Sequence, residues 1–389
     1  MSKASLFLRS AIVLLAVGFV VVIAARSAAP LFERGERFRD FRQFWGANQV
    51  IQQGGDPYDA PTQERVQRPK FQERALTPFV PPWTLALGSA IATTDFAESV
   101  ARVTIGGLAL ILFSALLTSH GLGLSLRFGP LEIVLAVVLS FPVTHTIATG
   151  QITALNALAF AALLMALRSG RSFHIGLAAT LCLFKPHIFL IALAVIALRD
   201  PRMLIGLVVG GFGLLAAAVL SYPPLVNGWI AAQLAGGSDE VLSNKSETIV
   251  TLIRETLHGA PAWPVAAVPI LGLLYAALTT KKLSDPREFL RLAFISVLFA
   301  PYGWAYDQTA LIAGPIIAVH FLLKGGTPPR HLAIAVGYLF AAHILPFLLM
   351  GRSTYYATLA FLPPLAGLIM LRMLWDELAP ERGEIAAVG

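Results

Sequence analysis

Charged residues are scarce in this chain. Only 13% of its 389 residues are charged, whereas 56% are hydrophobic. About a quarter of the residues of a soluble protein are charged, so this composition excludes a secreted domain, a cytosolic enzyme and a disordered chain. The apolar residues form separate blocks of roughly 15–24 residues, a length that crosses a hydrocarbon core of about 30 Å. The strands of a membrane barrel would instead alternate polar and apolar residues. The sequence therefore predicts an all-α polytopic membrane protein.

Cysteine and metal-binding motifs are also lacking. The single cysteine, Cys182, lies in an apolar run, so no intrachain disulfide can form and the residue is interpreted as a packing residue. The sequence contains no HExxH, CxxC, Walker loop or nucleophile elbow. We therefore predict no metal and no cofactor. The isolated histidines 145, 320 and 343 are interpreted as packing residues. The excess of Lys and Arg over Asp and Glu, 29 to 22, indicates cytoplasmic loops and no nucleic-acid partner.

The apolar blocks and two long polar loops define the organisation of a single membrane domain covering 1–389. We interpret block 5–25 as an uncleaved first helix, because a cleaved signal peptide, the alternative, has a core of only about 7–15 residues. The long loops are 26–78 and 222–261. The other blocks lie at about 79–93, 100–118, 130–147, 152–167, 174–198, 203–221, 262–279, 289–302, 308–323, 331–350 and 354–374. They predict a bundle of about 10–12 transmembrane or re-entrant helices.

The short basic loops predict the orientation. Positive charge near span ends favours the cytoplasm, so both termini are predicted to be cytoplasmic and both long loops external. Both basic loops that flank block 174–198 can lie in the cytoplasm only if that block enters the membrane and returns. Lys185-Pro186 lies near its middle, where proline breaks the helical hydrogen bonds. One further block must then not cross, and the short block 79–93, with Pro81-Pro82 near its start, is our candidate.

The first long loop carries an acidic residue at the start of an aromatic segment. Aromatic residues recur at roughly helical spacing after the sequence D-F-R-Q-F-W-G-A at 40–47, which predicts a helix lying in the membrane interface. Asp40 has two interpretations. It is either a helix N-cap, which the spacing alone favours, or a carboxylate that removes a proton from a substrate hydroxyl. Gly54-Gly55-Asp56-Pro57-Tyr58 predicts the turn that ends the helix.

Three polar motifs lie next to or within apolar blocks. Thr149-Gly150-Gln151 is interpreted as a turn with a capping glutamine. Lys185 costs about 2.5–3.5 kcal/mol on insertion scales, so it requires a partner or a watery cavity, unless it snorkels from a broken helix end. The motif at 300–308, A-P-Y-G-W-A-Y-D-Q, is either an interfacial aromatic belt or part of a site.

In their order and spacing these motifs resemble glycosyltransferase family 87. The resemblance spans about residues 5–375 and rests on five segments, D-F-R-Q-F-W-G-A-N at 40–48 with G-G-D-P-Y at 54–58, P-P-W at 81–83, G-Q-I at 150–152, K-P-H at 185–187 and A-P-Y-G-W-A-Y-D at 300–307. The family is a branch of the membrane-embedded GT-C superfamily. It includes mannosyltransferases that depend on polyprenol-phosphate-mannose.

The resemblance implies an inverting hexosyltransferase that uses a polyprenyl-phosphate sugar as donor and a glycolipid or glycan as acceptor. It implies an active site on the outer face of the cytoplasmic membrane, with Asp40 as general base and Lys185 and Gln151 facing the donor. The remaining motif residues expected at the substrate are His187, Tyr58, Trp304, Tyr306 and Asp307. Family members often carry a histidine where this chain has Tyr306-Asp307, so the resemblance does not specify mannose.

Two other functional classes fit parts of the sequence. A transporter or flippase of a lipid-linked saccharide would also place a lysine such as Lys185 within the membrane, although its polar residues would more often lie in paired broken helices. An inactive scaffold would be expected to have lost Asp40. The long external loop with an interfacial helix favours the enzyme.

Overall fold

The computed structural model describes residues 38–235, 263–349 and 361–378, together with Ile249 and Ile253. The predicted first span at 5–25, residues 26–37 and most of the stretch from 236 to 261 lie outside these residues. Within the described ranges the chain is helical and forms no strand. The all-α polytopic class is therefore confirmed.

Seventeen α-helices make up the described part of the chain. The first eleven are α1 Arg42–Gln52, α2 Ala60–Phe71, α3 Pro82–Ile91, α4 Phe96–Gly121, α5 Pro130–Val138, α6 Phe141–Thr149, α7 Ala154–Ser169, α8 Ser172–Thr180, α9 Pro186–Arg199, α10 Met203–Ser221 and α11 Pro224–Leu234. The others are α12 Trp263–Thr279, α13 Pro286–Leu298, α14 Ala313–Leu323, α15 Pro329–Leu339, α16 Leu345–Leu349 and α17 Leu362–Met373.

Two helices, α4 and α10, are long and apolar enough to cross a membrane on their own. Two bent pairs would bring the total to four among the described residues: α5 with α6, at 68°, and the 3₁₀ helix Ala305–Leu311 with α14, at 60°. The sequence predicted one continuous block at 130–147. The structure divides it because Pro142 lies in the first turn of α6, where its missing N–H costs nothing, whereas inside a longer helix it would break the hydrogen bonds.

The described parts of the two long loops, residues 38–78 and 222–235, lie together at one end of the bundle. Residues 38–95 form a layer of short helices with their own hydrophobic core, and Leu225 of α11 belongs to that core. The hydroxyl of Tyr222 donates to the carbonyl of Gly55 at 2.8 Å. Gly228 of α11 packs directly against the Asp56 side chain, so a larger residue would not fit there. We call this layer, residues 38–95 and 222–235, the loop face.

Helix α3 lies within the loop face at both of its ends. Near its start, Trp83 donates to the carbonyl of Leu183 at 3.0 Å. Just beyond its end, the carbonyls of Ala92 and Thr93 accept from Asn48 and Gln49 of α1. Ten residues of helix extend only about 15 Å. That block 79–93 does not cross the membrane stays a prediction.

Arginines mark the opposite end of the bundle, which we call the basic end. Arg168 donates to the last carbonyls of α4, including that of Gly121 at 2.8 Å. Arg199 and Arg291 donate to carbonyls at the end of α12, among them that of Thr279. Cations at helix C-termini satisfy carbonyls that have no partner within the helix and complement the helix dipole.

Block 174–198 runs from the basic end to the loop face and back. Helix α8 packs beside α10 in the same direction, with Gly176 against Gly206 and Thr180 against Gly210, and backbones this close require the missing side chains. The 3₁₀ helix Leu181–Phe184 then reaches the loop face, and α9 returns to Arg199. The predicted break at Lys185-Pro186 is therefore the apex of a helical hairpin.

Candidate active site

A cavity of about 370 Å³ lies where the loop face meets the membrane helices. Six of the eight predicted site residues line it, namely Asp40, Gln151, Lys185, His187, Trp304 and Tyr306. They come from the first long loop, the α6–α7 turn, the hairpin apex and the motif at 300–308. The fold thus brings together four segments that are far apart in the sequence.

Asp40 is not a helix cap. It lies inside the 3₁₀ turn Arg39–Phe41, and neither this turn nor α1 has a side-chain hydrogen bond at its N-cap. The Asp40 carboxylate instead accepts a hydrogen bond from Nε2 of Gln151, at 2.9 Å from Oδ2. The capping interpretation favoured by the spacing is therefore wrong, and the carboxylate faces the cavity.

The surroundings of Asp40 make it a better proton acceptor than an exposed aspartate. Burial raises the pKa of its carboxyl group above the ordinary value, because the charged form loses hydration. The hydrogen bond from Gln151 and the charges of Lys185 and Arg39 oppose this rise, whereas the charge of Asp307 adds to it. A base whose pKa lies nearer to neutral takes up a proton more readily.

A left-handed glycine positions Gln151 against Asp40. Helix α6 ends at Gly150, whose φ is 69°, and a side chain there would collide with Phe38 and Phe41. Phe38 is itself left-handed, with a φ of 54°, and its N–H donates to the carbonyl of Ala148 at 3.3 Å. The turn predicted at Thr149-Gly150-Gln151 is therefore present, and it locks the start of the first loop onto α6.

Lys185 forms a buried ion pair with Asp307. Its Nζ lies 2.6 Å from Oδ1 of Asp307, which is fully buried, and Lys185 itself is 8% exposed. The other oxygen of Asp307 accepts from the N–H of Trp304 at 3.1 Å, and the Asp307 carbonyl accepts from Asn156. Lys185 therefore does not simply snorkel from a broken helix end. It lines the cavity as a cation, and Asp307, on the side away from the cavity, compensates its charge.

The aromatic residues of the motif at 300–308 turn inward. Tyr306 is 7% exposed and lies beneath Lys185, with its ring centre 4.8 Å from Nζ. Trp304 stacks on Tyr306, with 5.9 Å between the ring centres. Tyr302 stacks on His187 at 4.0 Å. The interfacial-belt interpretation is therefore wrong, because these rings line the cavity.

Two predicted residues lie outside the cavity lining. Asp307 is behind Lys185, and Nε2 of His187 lies 3.7 Å from its Oδ2, beyond hydrogen-bonding distance. Tyr58 is buried in the loop face, and its hydroxyl donates to the carbonyl of Val80 at 2.9 Å. Tyr58 therefore supports the wall segment around Val80 from behind, instead of facing the substrate as predicted.

The sequence interpretation missed several lining residues. They are Gln43, Arg74 to Thr77, Phe79 to Pro81, Phe184, Pro186, Trp229, Gln233 and Tyr302. Four of them, Gln43, Pro81, Pro186 and Tyr302, were within recognised motifs. Arg74 and Gln233 lie in polar loops where charged and amide residues are common, so no local pattern distinguished them. Among the described residues, no three His, Cys, Asp or Glu side chains come together as a metal site.

Comparisons with known proteins identify the family. No curated protein and no solved structure matches the chain. The model of glycosyltransferase family 87 matches residues 79–302, a range that contains Gln151, Lys185, His187 and Tyr302. This range is more than half of the chain, so the protein belongs to glycosyltransferase family 87 and is a glycosyltransferase.

Proposed function

We propose that the protein transfers a hexose from a polyprenyl-phosphate carrier to a glycolipid or glycan acceptor on the outer face of the cytoplasmic membrane. The observation that carries the proposal is the position of Asp40. Its carboxylate lines a cavity that also contains Lys185, at the level where the loop layer meets the apolar helices. A lipid-linked donor would present its phosphate and sugar at this level, with its chain in the bilayer.

In the proposed reaction Asp40 is the general base. The acceptor hydroxyl loses its proton to the Asp40 carboxylate while its oxygen attacks the anomeric carbon of the donor sugar. The bond between that carbon and the phosphate oxygen breaks, and its electron pair leaves with the polyprenyl phosphate. A single displacement inverts the anomeric configuration. Gln151 holds the carboxylate in place through the 2.9 Å hydrogen bond.

Lys185 and the aromatic residues are suited to the donor. The cation of Lys185 is accessible from the cavity, and an ammonium group interacts with phosphate as a point charge. The rings of Trp304 and Tyr306 provide flat apolar surface of the kind that contacts the C–H faces of a sugar ring. Family membership favours this enzymatic function over the alternative, a transporter or flippase of a lipid-linked saccharide.

Purified protein in nanodiscs, offered a panel of polyprenyl-phosphate hexoses with glycolipid acceptors, tests the proposal. We expect mass spectrometry to detect acceptor extended by one hexose, with inverted configuration by NMR, for at least one donor. Nucleotide sugars provide the matched control. Transfer from a nucleotide sugar together with no transfer from any lipid-phosphate sugar would overturn the proposed donor class.

Cysteine labelling tests the orientation. Arg65 is exposed on α2 at the loop face, Lys281 is exposed at the basic end, and the native Cys182 is buried. We expect an impermeant maleimide to label an Arg65→Cys protein in intact cells, and a Lys281→Cys protein only after lysis. The reverse pattern would place the loop face in the cytoplasm.

A further inference from the structure

The charges around the cavity leave a donor phosphate with too little positive charge. Lys185 is a cation, but Asp307 compensates it at 2.6 Å. Asp40 lines the same cavity and must be ionised to act as a base. These three groups together carry one negative charge, and Arg39, whose charge also acts on Asp40, does not line the cavity. A phosphodiester carries one negative charge and gains a second as it leaves, so a site with this balance alone would repel it.

Arg74 also lines the cavity and is well exposed. Within the part of the chain that the structure describes, its guanidinium has no hydrogen bond and no ion pair, although the neighbouring Glu73 is paired with Arg42 at 2.7 Å. Adding Arg74 to the other charged groups makes the site neutral. Among the described residues that line the cavity, Arg74 is therefore the cation available for an incoming anion.

The backbone around Arg74 is held by the end of α2 on one side and by side chains on the other. Gln72 ends α2 in a left-handed conformation, with a φ of 55°. The N–H of Ala75 donates to Oε2 of Glu64 at 2.8 Å. The amide of the buried Gln67 both donates to and accepts from the backbone of Leu76, at 2.9 and 3.1 Å. Three side-chain hydrogen bonds therefore fix the backbone just after Arg74, whose own side chain has no partner among the described residues.

We infer that Arg74 binds the phosphate of the lipid-linked donor and stabilises it as it leaves. The inference rests on the proposed function and adds to it a specific residue of the donor site. Arginine offers a planar fork of N–H groups that matches two phosphate oxygens, and it stays charged in any surroundings of the cavity. In this arrangement Lys185 contacts the phosphate from the hairpin apex, and Arg74 contacts it from the loop face.

Binding of polyprenyl phosphate and of uncharged polyprenol to the full-length protein in nanodiscs tests the inference. We expect Arg74→Gln to weaken binding of polyprenyl phosphate about tenfold or more, because the variant loses the charge-assisted hydrogen bonds to the phosphate. Polyprenol binding should not change. Arg74→Lys should retain part of the affinity. Because the Arg74 side chain has no partner in the described structure, we expect every variant to keep its thermal stability.

Arg68→Gln is the matched control, since Arg68 lies on the same loop with a side chain 72% exposed and does not line the cavity. It should bind both lipids as the parent does. Equal affinity of Arg74→Gln and parent for polyprenyl phosphate would overturn the role of Arg74 alone. A parent protein that binds polyprenyl phosphate no better than polyprenol would overturn both this inference and the proposed donor.

Discussion

Two carboxylates belong to the site, and their surroundings differ: one lines the cavity and the other lies behind the lining. Asp307, behind the hairpin apex, has Lys185 on one oxygen and the Trp304 N–H on the other, and it is fully buried. Asp40, on the loop face, is half-buried, lines the cavity and accepts a hydrogen bond from Gln151. Both acids were candidates from sequence. Their partners distinguish them.

The difference indicates what each carboxylate can do. A carboxylate held by a lysine and a backbone N–H keeps its charge and has no reason to accept a proton. A carboxylate whose pKa is raised by burial, and whose partner is a neutral amide, is suited to accept one. We therefore propose that Asp40 takes the proton and that Asp307 holds Lys185 in place.

The largest effect is expected on stability, when the ion pair between Lys185 and Asp307 is broken. Asp307→Asn leaves Lys185 as a buried cation without its counterion, and breaking a buried pair in this way costs about 3–5 kcal/mol. We expect a clear fall in the unfolding temperature, measured by intrinsic fluorescence in detergent. The double variant Lys185→Met with Asp307→Asn should recover much of that loss, because neither charge then remains buried.

Asp40→Asn serves as the control for this stability measurement. It should unfold near the parental temperature, since Asp40 neither caps a helix nor forms an ion pair within the described residues. If Asp40→Asn lowered the unfolding temperature as much as Asp307→Asn, the distinction between the two carboxylates would be wrong.

A smaller effect, on the pH profile, is expected from Gln151→Leu. The hydrogen bond from Gln151 lowers the pKa of Asp40, so its removal should raise that pKa further. As the proposed general base, Asp40 would act only when deprotonated, so activity is expected to fall as the pH falls through its pKa. We expect the acid limb of kcat/KM to move to higher pH, with a loss of less than about tenfold near neutral pH.

Gln43→Leu is the matched control for Gln151. Gln43 also lines the cavity, but its amide donates to the main-chain carbonyl of Asp40 at 2.9 Å and not to the carboxylate. Its pH profile should therefore remain parental. An unchanged acid limb in Gln151→Leu would show that the hydrogen bond does not control the catalytic proton.

The smallest effect is expected from the part of the cavity that carries neither carboxylate. Trp229 and Gln233, on successive turns of α11, line the cavity from the second long loop. If this wall contacts the acceptor, Trp229→Ala should raise the acceptor KM about threefold to tenfold, in keeping with the worth of one aromatic contact. The donor KM should not change. Asn227→Ala, exposed on the same helix, should leave both constants parental.

The membrane class, the hairpin apex and six of the lining residues could be predicted from the sequence, because apolar blocks, and polar residues next to or within them, are local signals. The contacts between side chains that are distant in the sequence could not be predicted. Gln151 lies 111 residues from Asp40, and Lys185 lies 122 residues from Asp307. Composition indicated that Lys185 required a partner or a cavity, but only the fold shows that it has both, and that Asp307 is the partner.

Other features escaped prediction because their local signals pointed elsewhere. Helical spacing predicted that Asp40 is a helix cap. In the structure the turn at Gly150 places Gln151 where it donates a hydrogen bond to the Asp40 carboxylate. Tyr58 lies in one of the motifs that resemble the family, but its hydroxyl donates a hydrogen bond within the loop face. Arg74 is one of many charged residues in a polar loop, and only the cavity and the charges around it distinguish it.

The turnover of Asp40→Asn, with donor affinity measured on the same preparation, tests the central claim most directly. Asparagine keeps the size and polarity of the side chain but cannot accept the proton. A general base contributes about 10²–10⁴ in rate, so we predict parental donor binding and unfolding temperature with turnover at least about a hundredfold slower. Near-parental turnover would contradict the claim, because it would show that the acceptor proton leaves by another route.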